Sequence, residues 1–166
     1  IVTDLDGLDG FGVNAQAFFR FTGSFVTSSL PTAAQTATPA GGAGFVVLSP
    51  GAPRLEGALL TTTDDDGTLM LAPLHPLPAG ARVAAYVTRR LSDAAGGCLA
   101  PSSATARELA APNGDLAAAV TALTTLGAVA RADELVAITA FATQTTTGDS
   151  QAVAADIAPR SFSVAS

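Results

Sequence analysis

Residues 54–73, RLEGALLTTTDDDGTLMLAP, decide the fold. Two β-prone runs flank Asp64-Asp65-Asp66-Gly67, and Asp-Gly at a short reversal marks a hairpin because glycine reaches positive φ without steric cost. The stretch therefore predicts strands over about 55–62 and 68–72. In the PLHPLPAG that follows (73–80), three prolines supply no ladder donors, so the chain must leave the sheet as an extended loop ending in a Gly turn. RVAAYVTRR (82–90) then returns to strand periodicity, with Val83, Ala85 and Val87 on one face and Arg82, Tyr86 and Arg90 on the other.

Working outward, FGVNAQAFFRF (11–21) places Phe11, Val13, Ala15, Ala17, Phe19 and Phe21 at alternate positions, which predicts a strand with one buried face. The Thr, Ser, Ala, Pro and Gly of 22–43 show little periodicity and predict a long irregular loop or a short edge segment. GFVVLSPG (44–51) predicts a short apolar strand closed by Pro-Gly. SATARELAA (103–111) predicts one or two helical turns. Leu116, Val120, Leu123 and Leu126 recur at helical spacing, so a helix is expected over about 115–128, started by Asn113 or Asp115 and weakened at its end by Gly127. ELVAITAFATQTT (134–146) is apolar on both faces, as expected of a central strand. Short strands, Gly/Pro/Asp turns and one late helix describe an all-β protein, a β-sandwich with one helical excursion before the last strand.

Composition narrows the function classes. A chain of 166 residues has the length of one domain and buries about 70% of its unfolded surface. Aromatic residues make up only 5%, so Ala, Val and Leu must do most of the packing around Phe anchors. The net charge is −6, every basic residue is Arg, and no basic cluster exceeds Arg89-Arg90, which argues against a nucleic-acid partner. The apolar runs fall short of the ~20 residues that a membrane span needs. Cys98 is the single cysteine, so no intrachain disulfide and no cysteine-based zinc cluster can form. A start at Ile1 rather than Met suggests a processed or excised piece, and the Arg-only basic usage with Ala/Gly richness suggests a GC-rich bacterial genome.

Specific residues add a resemblance. Pro73, Pro76, Leu77 and Gly80, the strand through Tyr86, and the loop from Asp93 to Gly97 resemble the second half of bacterial Ig-like modules of the S-layer/Big type. LDGLDGFGVNAQAFFRF (5–21) and LGAVARADELVAITAFATQTTT (126–147) are similar to the N-terminal domain of bacterial extracellular lipases and virulence-associated esterases. The resemblance spans about residues 5–147, and its motifs are turns and strand patterns, none of them catalytic. It implies an Ig-like β-sandwich over 11–147, including the helix at about 115–128, between an opening segment (1–10) and a C-terminal linker or short helix (148–166). It also implies that an α/β-hydrolase domain adjoins the module.

The residues that bear chemistry are few. Gly148-Asp149-Ser150-Gln151-Ala152 is the nearest match to a nucleophile elbow, with Asp156 as the acid, but no His lies downstream and His75 sits in the proline-rich loop. Most His residues so placed are turn residues. Asp4, Asp6 and Asp9 form a calcium candidate, half of an Asp-rich, Gly-bent loop without the closing bidentate Glu. Asp64 to Asp66 lie in a turn too tight to wrap an ion, and they suit a charged hairpin tip that discourages edge pairing. Cys98 follows Gly-Gly with no evident basic neighbour and reads as an inert small residue. With no Trp and one Tyr, an aromatic sugar platform is disfavoured.

The resulting expectation is a non-catalytic accessory or spacer domain of a secreted or cell-surface bacterial protein, preceding a lipase or esterase domain and requiring no cofactor. Its partners would be that catalytic domain or a surface scaffold. The alternatives are a self-assembling or partner-binding surface subunit, homo-oligomers included, and a small serine esterase using Ser150.

Overall fold

The computed structural model of the chain describes residues 9–62, 67–145 and 156. Among them, seven strands form two antiparallel sheets. The three-stranded sheet consists of β1 (Ala17–Arg20), β4 (Ala58–Thr62) and β5 (Thr68–Pro73), in the order β1-β5-β4. The four-stranded sheet consists of β2 (Ala43–Ser49), β3 (Arg54–Glu56), β6 (Arg82–Thr88) and β7 (Leu135–Ala142), in the order β3-β2-β6-β7. The expected hairpin is present, with Leu60 opposite Leu71 and Thr62 opposite Leu69. Asp64, Asp65 and Asp66 at its tip lie outside the described residues, and Gly67 beside them has φ +66°.

The sheets face each other across a core to which each contributes alternate residues: Ala17, Leu60, Leu69 and Leu71 from one, and Phe45, Val47, Val83, Ala85 and Val87 from the other. This sandwich-like packing follows from period two, since each of these residues projects to the same side as its neighbour two positions away. A second core lies on the other face of the four-stranded sheet, where Val46, Ala84 and Tyr86 meet helical residues. Helix α1 (Ala33–Thr36) lies before β2, while α2 (Ser103–Ala110) and α3 (Gly114–Thr125) lie between β6 and β7. Ala119, Ala122 and Leu123 of α3 cover that second core, and α3 lies against β2, β6 and β7. The small alanines let the helix approach the sheet closely.

Several expectations need correction. The strand expected over 11–21 is confined to Ala17–Arg20. Phe11 instead bridges Thr143 beyond β7, and a turn closed by Ala15 N–H to Gly12 C=O (2.8 Å) carries the chain to the other sheet. The strand expected over 55–62 divides at Gly57, because Glu56 pairs with Phe45 in one sheet while Ala58 pairs with Pro73 in the other. The step across Gly57 closes one side of the sandwich. The face of β6 that carries Tyr86 is buried where α3 covers it. β7 is an edge strand, not a central one, and its two apolar faces are explained by the two cores it separates. The excursion before β7 holds α2 as well as α3, in agreement with the helical turns expected over 103–111 and the helix expected over about 115–128. Within 22–43, short 3-10 turns at Thr27–Ser29 and Pro39–Gly41 flank α1, which carries a Thr32/Gln35 capping box.

Buried polar side chains tie loops to this frame. Thr36 Oγ1 donates to the Ala58 carbonyl and accepts from the Ala58 N–H, each at 2.8 Å, which fastens α1 to the start of β4. Thr143 Oγ1 accepts from Ala81 N–H at 2.8 Å and fastens the end of the proline-rich loop. Asp93 Oδ1 accepts from Ala95 N–H (2.9 Å) and Gly97 N–H (2.6 Å) and so closes the Asp-to-Gly loop, which gives that sequence motif a structural role.

Candidate functional site: the open side of the sandwich

Where Gly57 closes one side, the opposite side leaves β1 and β7, an edge strand of each sheet, facing a cleft. It has a volume of about 490 Å³, within the ordinary range for ligand sites. Phe19, Phe21, Leu99 and Val136 give it an apolar floor continuous with the core between the sheets. Asp93, Ser102 and Thr105 supply polar groups at its walls.

The strand geometry positions these groups. Phe19 and Phe21 share the inward face of the β1 alternation, and Phe21 N–H donates to Gly67 C=O at 3.1 Å. Between Val87 and Thr88 the β6–β7 register shifts, so Val136 is the extra residue of a bulge that turns toward the cleft side. Residues 98–102 form the remaining wall, reached through the Asp93 loop and a bridge between Ser92 and Cys98.

Cys98 is exposed and lines this cleft. His75 is exposed in the proline-rich loop and does not line the cleft. Ser150 lies outside the described residues, and Asp156 is exposed. Of the calcium candidate, Asp4 and Asp6 lie outside the described residues. Asp9 is committed elsewhere: its Oδ1 accepts from Thr145 N–H at 2.9 Å, and this bonding holds its carboxyl below the usual carboxylate range. Among the described residues no group of three or more His, Cys, Asp or Glu side chains could hold a metal ion.

Asp9 belongs to a second arrangement that sequence reasoning missed. Phe11 N–H donates to Ala142 C=O at 2.9 Å, and Gln144 N–H donates to Phe11 C=O at 2.7 Å. Residues 9–11 and 142–145 are thus pinned side by side at one pole of the sandwich. Gly10 permits this approach, since a Cβ there would lie 2.6 Å from the Thr143 carbonyl carbon. The Gly flanked by Asp9 and Phe11 was the signal, but its distant partner could not be read from local sequence.

No helix among the described residues is long and apolar enough to cross a membrane. Comparison of the chain with protein-family models, with curated proteins and with solved structures finds no match.

Proposed function

We propose that this chain is a non-catalytic, Ig-like accessory module of a secreted or cell-surface bacterial protein, one that positions an adjoining lipase or esterase domain. The observation that carries the reading is the pinned pole. A segment leaving Thr145 departs beside Asp9 and Phe11, from a point held by main-chain hydrogen bonds to the sandwich. Such an exit fixes the point from which the chain leaves the sandwich, a property that suits a positioning module. The buried threonines support the same reading, because their hydrogen bonds rigidify loops rather than present reactive groups. The connection to lipases rests on the resemblance of residues 5–21 and 126–147, and fold analogy alone does not assign an activity.

The test is ester turnover by the purified 166-residue chain, with p-nitrophenyl esters of short and medium acyl chains. The proposal predicts no turnover above buffer. Turnover that disappears in Ser150→Ala would replace the module with a small serine esterase.

A further inference from the structure

We propose that the outward edge of β1, with the cleft beside it, accepts an extended polypeptide segment that carries apolar side chains at alternate positions and little negative charge. This goes beyond the accessory-module reading and does not depend on it.

β1 pairs with β5 in antiparallel register, with Phe18 opposite Met70 and Phe19 opposite Leu69. Because Phe21 N–H bonds to Gly67, the pairs at Phe21 and Phe19 are the hydrogen-bonded ones, and Phe18 belongs to the alternate set. The main-chain N–H and C=O of Phe18 therefore point away from β5. On that side no other strand pairs with β1 among the described residues. The main chain of an incoming strand would complete the ladder there.

Side-chain rows on the two faces of such a strand would meet different surfaces. Its inward row would enter the cleft over Phe19, Phe21, Leu99 and Val136. Its outward row would extend the outer face of the three-stranded sheet, where Phe18 is 60% exposed beside Met70, and Leu59 is 52% exposed. An alternating apolar segment satisfies both.

A second copy of this chain fits less well. The β1 of another copy has already committed Ala17 and Phe19 to its own core, so it brings no inward row to fill the cleft. Four residues of edge pairing span only about 13 Å at about 3.3 Å per residue. The chain's net charge of −6 favours a neutral or basic segment.

The probe is an acetylated, amidated octapeptide of alternating valine and threonine with arginine at each end, titrated into the 15N-labelled full chain. The expected result is a saturable set of amide shifts confined to 18–23, 98–102 and 136–137, with exchange at the Phe18 amide slowed at least about tenfold. Phe18→Pro removes the outward donor while leaving the bonds to β5, and it should abolish binding. Ala137→Arg, which fills the cleft from the opposite wall, should do so independently and decides the matter if Phe18→Pro fails to fold. A control octapeptide with a central proline should not bind. The proposal is overturned by the absence of saturable shifts, by shifts at β3 and β4 instead, or by binding that survives Ala137→Arg. Dilution-dependent shifts of the β1 amides without peptide would also overturn it, in favour of self-association.

Discussion

Replacing Tyr86 by Phe should stabilise this protein. Tyr86 is fully buried on the helix-facing side of β6, and its hydroxyl has no hydrogen-bond partner among the described residues. An unpaired buried hydroxyl costs about 1–3 kcal/mol relative to its hydrated state. Tyr86→Phe removes that cost and keeps the ring, with a small loss of packing where the oxygen was. A gain of about 1 kcal/mol is expected near neutral pH, or about 2–4 °C in Tm for a chain of this length. Burial also pushes the Tyr86 hydroxyl up to about 12, against a weaker opposing pull from the Arg90 charge. The neutral form is therefore favoured by folding. Its contribution is complete below the unfolded value near 10 and is lost as pH rises through 12. At about 1.4 kcal/mol per unit, that alkaline loss amounts to about 3 kcal/mol. The assay is urea denaturation of both proteins, followed by far-UV circular dichroism from neutral to alkaline pH. Because this is the only tyrosine, tyrosinate absorbance reports Tyr86 alone. Two results would refute the reasoning: a variant less stable than the parent at neutral pH, or a tyrosine that titrates near 10 while the fold is intact.

Three further substitutions test the ties that hold the frame. Thr36→Val leaves both main-chain groups of Ala58 without the side-chain partner they have now, and it should cost about 2–3 kcal/mol, read as a lower urea midpoint at unchanged slope. Gly10→Ala places a Cβ 2.6–2.8 Å from main-chain atoms of residues 142–144, which cannot swing aside as a side chain would. It should cost about 1–3 kcal/mol and speed amide exchange at Phe11 and Gln144 while β2 and β6 stay protected. Asp9 has a lowered carboxyl pKa, so its tie to Thr145 holds above the unfolded value and is lost as pH falls through the lowered one. Protection of the Thr145 amide, its exchange rate relative to the intrinsic rate at each pH, should therefore fall on acidification in the parent, whereas in Asp9→Asn it should lack that acid-dependent step.

The alternation of Val83, Ala85 and Val87, and the run from Ala58 to Pro73 around its Asp-Gly reversal, made two facing sheets legible, because period two reports directly which residues share a face. The helix near 115–128 was legible for the same reason at a different period. What periodicity could not convey was which sheet a strand joins. Glu56 and Ala58 are separated by a single glycine yet belong to different sheets, and a continuous β-prone run gives no sign of that step. The apolar second face of β7 was visible in sequence, but a face covered by helices and a face flanked by strands carry the same composition. Tyr86 shares its alternation with Arg82 and Arg90 yet is buried, because Arg82 is at the strand's exposed start and Arg90 lies beyond Thr88. The cleft was not legible at all, since Phe19, Leu99 and Val136 come together only through tertiary packing. Ser150, Asp4 and Asp6 lie outside the described residues, whereas His75 and Cys98 are exposed in loops, as their Pro and Gly neighbours implied.

The central claim is that this chain positions chemistry carried by another domain. The most direct measurement is the intact mass and terminal sequence of the polypeptide isolated from its source, together with ester turnover by that polypeptide. The expected mass extends past Ser166 by a hydrolase-sized segment, with turnover in the longer polypeptide. A natural polypeptide that ends at Ser166 would contradict it.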